Sequence, residues 1–208
     1  MKQSITYYIT LFVIRLKGVK RSFSKDPVDF EKIRREDIHQ PNGRFFKKHL
    51  LGKFKISDST ISEIGLDKNS KNLLIFIHGG AFISGPAKHH WDTVKDIAKK
   101  SNCKIWMCDY PKAPENQISK ISQNIDAVYS KALESYQANK ISMIGDSAGG
   151  TLATALIHRL IVKKIALPKK LILITPVMDA SMSNPAIKLI EKTDPMLSIT
   201  GVLSAKKM

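Results

Sequence analysis

The feature that most constrains the fold is an alternation of short apolar runs with segments of helical periodicity, which begins near residue 72. The apolar runs resemble strands that are buried on both faces of a sheet, and they cover residues 73–77, 105–108, 141–144 and 171–174. Segments with apolar residues at helical spacing separate them, at residues 91–100, 118–136 and 148–163. Four strands that alternate with three helices predict an α/β fold with a mostly parallel, doubly wound sheet.

The chain before this alternation has a different character. Residues 1–50 are basic and contain helix-breaking steps such as Asp26-Pro27. Phe54 and Ile56 alternate with lysines, and this pattern predicts one strand of an edge pair in the sheet. We therefore expect an N-terminal helical segment over residues 1–50 and an α/β core over residues 51–208.

Composition and charge exclude several classes of protein. The chain has 208 residues, of which 43% are hydrophobic and 25% charged, as in ordinary globular domains. The net charge is +16, but basic pairs are spread along the whole chain and no nucleic-acid-binding motif accompanies them. A solvated basic surface is therefore favoured over nucleic-acid binding. Cys103 and Cys108 have the spacing of neither a disulfide framework nor a zinc site, so we expect a reducing, cytoplasmic location and no metal.

An apolar segment lies close to the N-terminus. Its apolar residues recur at helical spacing from Ile5 to Leu16. The uncharged stretch within it is shorter than the roughly 20 residues that a membrane span needs, and no small-x-small cleavage site follows. A helix packed on the protein is favoured, with shallow docking on an anionic membrane surface as the alternative. The sequence does not specify an oligomeric state.

The segment Gly145-Asp146-Ser147-Ala148-Gly149-Gly150 follows a predicted strand and opens a predicted helix. It fits the pattern G-x-S-x-G, in which a sharp turn exposes the serine hydroxyl and side chains two positions away would collide. A plain glycine-rich turn or a phosphate-binding loop is the alternative, although G-x-G-x-x-G and the Walker pattern are both absent. We interpret Ser147 as a candidate nucleophile.

A second glycine-rich segment, His78-Gly79-Gly80-Ala81-Phe82, follows the first strand of the alternation. Backbone N–H groups of Gly79 and Gly80, together with that of Ala148, could form an oxyanion hole, which stabilises a tetrahedral intermediate. His78 ends a buried strand, so a hydrogen-bonding role that braces the loop is favoured over a role as catalytic base.

These two segments resemble the hormone-sensitive-lipase-like branch of the α/β-hydrolases, and in particular its bacterial carboxylesterases. Three further stretches resemble segments of that family, namely Asp109-Tyr110-Pro111-Lys112-Ala113-Pro114-Glu115, Thr175-Pro176-Val177-Met178-Asp179 and Asp194-Pro195-Met196-Leu197-Ser198. The resemblance runs from about residue 50 to the last residue. Ala81 stands where many members have a third glycine, and alanine should leave the two preceding N–H groups usable.

The resemblance implies an α/β-hydrolase fold in which residues 1–50 form the cap over the acyl pocket. It also implies a serine hydrolase, an esterase or lipase that cleaves a small, short-chain carboxylic ester. Ser147 would form an acyl-enzyme, the oxyanion would rest on Gly79, Gly80 and Ala148, and no cofactor is needed.

The acid and base of the triad are harder to find. The fold's order is serine, acid, histidine, yet His158, far along the helix behind Ser147, is the only histidine after the serine. Asp179 is a possible acid, although a loop-bracing role is favoured, and by resemblance Asp194 is not the acid. His89 and His90 could lie near the pocket and stay open as alternative bases.

We therefore expect a C-terminally truncated esterase, with the last strands and helices missing and with doubtful activity. The alternatives are a catalytically dead module that binds a small ligand or a partner, and a non-functional fragment.

Overall fold

The computed structural model describes residues 3–208. The chain divides into two compact units, of which the larger covers residues 36–178 and the smaller combines the residues up to 35 with residues 179–208. The boundary at residue 50 that the sequence predicts separates a helix from the first strand, inside the larger unit.

The larger unit contains one six-stranded sheet in the spatial order β1-β2-β4-β3-β5-β6. The strands are β1 (Leu50–Ile56), β2 (Ser59–Ile64), β3 (Leu73–Ile77), β4 (Lys104–Asp109), β5 (Ile141–Asp146) and β6 (Lys170–Ile174). β1 pairs with β2 and β2 with β4 in antiparallel fashion, whereas all pairs among β4, β3, β5 and β6 are parallel. The predicted mostly parallel α/β sheet, with a strand pair at one edge, is confirmed.

Three of the helices alternate with the parallel strands. Over residues 3–208 the α-helices in chain order are α1 (Ile5–Leu16), α2 (Val19–Phe23), α3 (Phe30–Arg34), α4 (Arg44–His49), α5 (Lys88–Lys100), α6 (Ile118–Leu133), α7 (Ala148–Val162), α8 (Ile187–Glu191) and α9 (Ile199–Lys207). The helices α5, α6 and α7 correspond to the three helical segments that the sequence predicts between the strands.

The core lies on both faces of β3, all of whose residues are buried. On one face, Trp91, Val94 and Ala98 of α5 pack in a cluster with Phe76 of β3 and Ile144 of β5. α7 packs on β3 and β5, and α6 packs on α7. Since both faces of its central strands are covered, the sheet holds the loops at its carboxyl edge in fixed positions.

The smaller unit is helical. The predicted helix over Ile5–Leu16 is confirmed as α1, and the Ser4 hydroxyl caps it by accepting a hydrogen bond from the Tyr7 N–H at 3.2 Å. None of the residues of α1 is fully buried. In the same unit, the Val28 N–H donates to the hydroxyl of Ser204 in α9 at 3.0 Å, which joins the two chain segments. Over residues 3–208, no helix combines the length and the apolar character that crossing a membrane requires.

Candidate active site

Ser147 lies in the sharp turn between β5, which ends at Asp146, and α7, which begins at Ala148. Its backbone has φ +49° and ψ −116°, a region that non-glycine residues occupy only when the surroundings enforce it. The Ser147 N–H donates to the Ile174 carbonyl at 2.9 Å, and the Ser147 carbonyl accepts from the Gly150 N–H at 2.9 Å. The strand–turn–helix context that the sequence predicts around Ser147 is therefore present.

The glycines beside Ser147 are required because the backbone is crowded there. A Cβ on Gly145 would lie 2.5 Å from the Cα of Gly150. A Cβ on Gly149 would lie 2.1 Å from the carbonyl oxygen of Ile77 in β3. Real Cβ atoms do not approach other heavy atoms so closely, so any side chain at either position would push the turn away from β3.

The loop His78–Phe82 follows β3 and meets the serine turn. A Cβ on Gly79 would lie 3.1 Å from the Cβ of Ser147, so the two loops are in close contact. Gly80 and Ala81 have positive φ values of +118° and +53°, and the N–H groups of Ile83 and Ser84 both donate to the Gly80 carbonyl at 3.0 Å. These bonds hold the Gly80 carbonyl against the turn that follows it.

The directions of the backbone N–H groups decide which of them could bind an oxyanion. The Gly79 N–H points at the His90 ring, with 3.3 Å between Gly79 N and His90 Nε2. Within the described part of the chain, the N–H groups of Gly80, Ala81 and Ala148 have no acceptor. Ala148 is the first residue of α7, and such N–H groups at a helix N-terminus are open to an anion.

His78 braces this loop. Its ring is buried, stacks on the Tyr110 ring with 4.3 Å between centroids, and its Nδ1–H donates to the Gly79 carbonyl at 2.6 Å. Burial lowers the pKa of the His78 imidazole well below its usual range, so this ring is neutral at pH 7. The geometry agrees with the predicted bracing role. The buried His78 ring does not reach the solvent-exposed part of the site.

His90 links α5 to the serine turn. Its Nδ1 accepts a hydrogen bond from the Ala87 N–H at 2.8 Å, and its Nε2 lies 3.1 Å from Oδ2 of Asp146. Asp146 directly precedes Ser147. In the sequence His90 is only an alternative base, and Asp146 is the variable residue inside the G-x-S-x-G pattern, so the sequence does not indicate a contact between the two.

A model of the α/β-hydrolase fold family matches residues 74–208. The chain belongs to the α/β-hydrolase family. An esterase of Acinetobacter venetianus is 32% identical over 146 residues, which are 70% of this chain and 48% of that protein. An ethyl acetate hydrolase of Pseudomonas putida is 26% identical over 121 residues, 55% of this chain and 38% of that protein. The chain thus spans about half the length, or less, of these curated relatives.

A solved esterase of the bacterial hormone-sensitive lipase family has the same fold. It superposes with a TM-score of 0.80 over 99% of this chain and 68% of that chain, at 20% sequence identity. The family match and this superposition together confirm the α/β-hydrolase fold that the five short motifs predict.

In α/β-hydrolases an acid and a histidine follow the serine. In this chain His158 is exposed and lies on α7. The Asp179 carboxylate accepts from the Ser181 N–H at 2.7 Å, and hydrogen bonds from Ser181 lower the pKa of Asp179. The Asp194 carboxylate accepts from the N–H groups of Met196 and Leu197. Each of these carboxylates binds the backbone of its own loop.

In one cluster of this α/β-hydrolase, the possible ligand atoms lie close enough to one another to bind a metal ion. The ligand atoms of His89, His90 and Asp146 all lie within 4.8 Å of one another. However, His90 Nδ1 accepts from the Ala87 N–H, and His90 Nε2 lies 3.1 Å from Asp146 Oδ2 and 3.3 Å from Gly79 N. Since both ring nitrogens of His90 already have polar partners, the cluster fits a hydrogen-bonded pair better than a metal site.

Proposed function

We propose that this α/β-hydrolase chain provides the nucleophile and oxyanion hole of a serine carboxylic ester hydrolase. The Ser147 Oγ attacks the ester carbonyl, and loss of the alcohol leaves an acyl-enzyme. The observation that carries the proposal is the strained Ser147 backbone at φ +49°, beside a loop in which the N–H groups of Gly80 and Ala81 have no acceptor among residues 3–208.

The oxyanion would be bound by the backbone. Gly80 and Ala148 support this role best, because neither N–H has an acceptor in the part of the chain that the structure describes. Ala81 adds a third such N–H, which the sequence did not suggest because the motif places alanine where many members have glycine. The role of Gly79 stays a prediction, since its N–H points at the His90 ring.

We assign no catalytic base or triad acid to this chain. His78 is buried and bonded to the Gly79 carbonyl, and His90 is bonded to Asp146. Without the base, a serine hydrolase typically loses about 10⁴- to 10⁶-fold in rate, while the oxyanion hole and binding still contribute. We therefore expect Ser147 to be acylated by activated esters, with slow turnover.

A short-chain ester is the proposed substrate class, and the similarity to an ethyl acetate hydrolase supports it. The free thiols Cys103 and Cys108 support a reducing, cytoplasmic location. The second candidate function is a module that binds a small ester without turnover, which the lack of an assigned base favours.

The test is the release of p-nitrophenol from p-nitrophenyl acetate by the 208-residue chain and by Ser147→Ala. We expect the wild-type chain to release p-nitrophenol and the variant to fall to the uncatalysed rate. Matched circular dichroism spectra would show that both are folded. Equal release by the two proteins would contradict the proposed function, and bound ester without release would favour the binding module.

A further inference from the structure

We propose that His90 is a positioning residue that donates a hydrogen bond from Nε2–H to the Asp146 carboxylate and so fixes the serine turn against the first turn of α5, beside the loop His78–Phe82. The inference rests on the proposed function, because its catalytic consequence is read at Ser147. It concerns a contact between residues 56 positions apart that no motif names.

The tautomer of His90 follows from its surroundings. The Ala87 N–H is a fixed backbone donor and lies 2.8 Å from Nδ1, so Nδ1 must present a lone pair. A neutral imidazole carries one proton, which is then on Nε2. The carboxylate oxygen Oδ2 of Asp146, 3.1 Å away, is a matched acceptor for that proton. A proton on Nδ1 would instead point at the Ala87 N–H, and the two donors would repel each other.

Nε2 also faces a backbone donor, because the Gly79 N–H is directed at it with 3.3 Å between the two nitrogens. We assign the proton to Nε2 because the Ala87 contact at Nδ1 is shorter, at 2.8 Å, and because Nε2 has the Asp146 carboxylate within reach as an acceptor. The Asp146 carboxylate is close to Gly79 as well, since a Cβ on Gly79 would lie 3.1 Å from Oδ2. The carboxylate therefore lies between the oxyanion loop, the first turn of α5 and the serine turn.

The bond is sheltered from water. The His90 side chain is 4% exposed and that of Asp146 is 19% exposed, and a hydrogen bond to a carboxylate is stronger in such surroundings than in water. The carboxylate belongs to the residue before the nucleophile, so a donor on Nε2 that holds the carboxylate in one place also holds the turn that carries Ser147.

His90 also has a purely structural role, and the experiment must distinguish it from the positioning of Asp146. By accepting the Ala87 N–H, its Nδ1 caps the N-terminus of α5. In His90→Asn the side-chain oxygen can replace Nδ1 as the acceptor, but the donor to Asp146 is lost. In His90→Gln the side-chain amide reaches the position of Nε2 and can donate to Asp146, whereas the cap is lost.

The two variants therefore predict opposite rankings. In thermal unfolding, His90→Asn should be more stable than His90→Gln because it keeps the helix cap. In the rate of Ser147 acylation by p-nitrophenyl acetate, His90→Gln should stay close to the wild-type chain. His90→Asn should fall by about 10- to 100-fold, as small misplacements of reacting groups do, with little change in KM.

Substitutions of the partner complete the design. Asp146→Asn keeps an oxygen acceptor for Nε2–H and should retain the acylation rate, whereas Asp146→Leu should lower it as His90→Asn does. If both His90 variants lose activity in proportion to their stability, or if His90→Asn acylates like the wild-type chain, the positioning role is overturned.

The tautomer can be read without any activity. In ¹⁵N NMR spectra of ring-labelled protein, assigned by loss of the signal in His90→Asn, we expect the His90 proton on Nε2. His78 supplies an internal contrast, since its proton is expected on Nδ1. A His90 proton on Nδ1 would refute the proposed hydrogen bond from His90 to Asp146 even if Ser147 reacts. Activity that does not depend on Ser147 would instead refute the proposed function, so the two failures are distinguishable.

Discussion

Ile144 in β5 and Ile172 in β6 are paired residues of the same type in neighbouring strands, yet they lie in different environments. Ile144 is 5% exposed, whereas Ile172 is 43% exposed. β5 lies between β3 and β6, and β6 is the edge strand of the sheet. An apolar run thus predicts a strand, but it does not show how much of that strand is covered by neighbouring elements of the fold.

The edge strand nevertheless supports the candidate site. The Ser147 N–H donates to the carbonyl of Ile174, the last residue of β6. After the strand, the Val177 carbonyl accepts from the Thr151 hydroxyl at 2.5 Å. The turn that carries Ser147 is thus held by the buried strand β5 on one side and by the exposed strand β6 on the other.

The largest effect is expected on the buried side. Gly149→Ala places a methyl group 2.1 Å from the Ile77 carbonyl oxygen, and we expect it to destabilise the fold by about 3 kcal/mol or more. Gly52→Ala in β1 is the matched control, because a Cβ there meets nothing within 4 Å. Denaturant unfolding measures both variants, and equal stability would show that the turn is looser than described.

The paired isoleucines give the next effect. Ile144→Ala removes atoms from the core cluster and should cost about 2–5 kcal/mol of unfolding free energy. Ile172→Ala removes the same atoms from a half-exposed position and should cost less than about 1 kcal/mol. Urea unfolding of the two variants measures the difference. Equal losses of unfolding free energy would contradict the difference between the two strands, since they would mean that β6 is as well covered as β5.

The smallest effect on stability is expected on the exposed edge. Apolar edge strands promote association between chains, and a lysine on such a strand opposes it. Leu173→Lys, at a residue that is 38% exposed, should lower light scattering at high protein concentration while the midpoint of unfolding changes little. Leu66→Lys, at an apolar residue exposed elsewhere in the same unit, is the control. An equal decrease for both variants would show that charge, and not the edge, is responsible.

The sequence predicted the parallel sheet because periodicity and burial on both faces leave a direct trace in residue order. It also predicted the Ser147 turn, since steric crowding at Gly145 and Gly149 admits only glycine. The apolar run of β6 does not by itself show that Ile172 is exposed, because exposure depends on which element lies beyond β6. The contact between His90 and Asp146 was missed for a related reason, since it joins distant segments through the packing of α5.

The positive φ of Ala81 was also not predicted. Alanine does not indicate a left-handed backbone conformation as glycine does, and φ at Ala81 is nevertheless +53°. The tight turn in which Ile83 and Ser84 donate to the Gly80 carbonyl imposes this conformation. Hydrogen bonds of this kind cannot be inferred from the sequence, because they form only when the loop is folded.

We propose that Ser147 is a nucleophile held beside an oxyanion hole. The most direct measurement is labelling of the folded 208-residue chain with a fluorophosphonate, followed by peptide mapping in a mass spectrometer. We predict one modification, on Ser147, in the wild-type chain and none in Ser147→Ala. A folded wild-type chain without label on Ser147, or equal labelling of Ser147→Ala, would contradict the account.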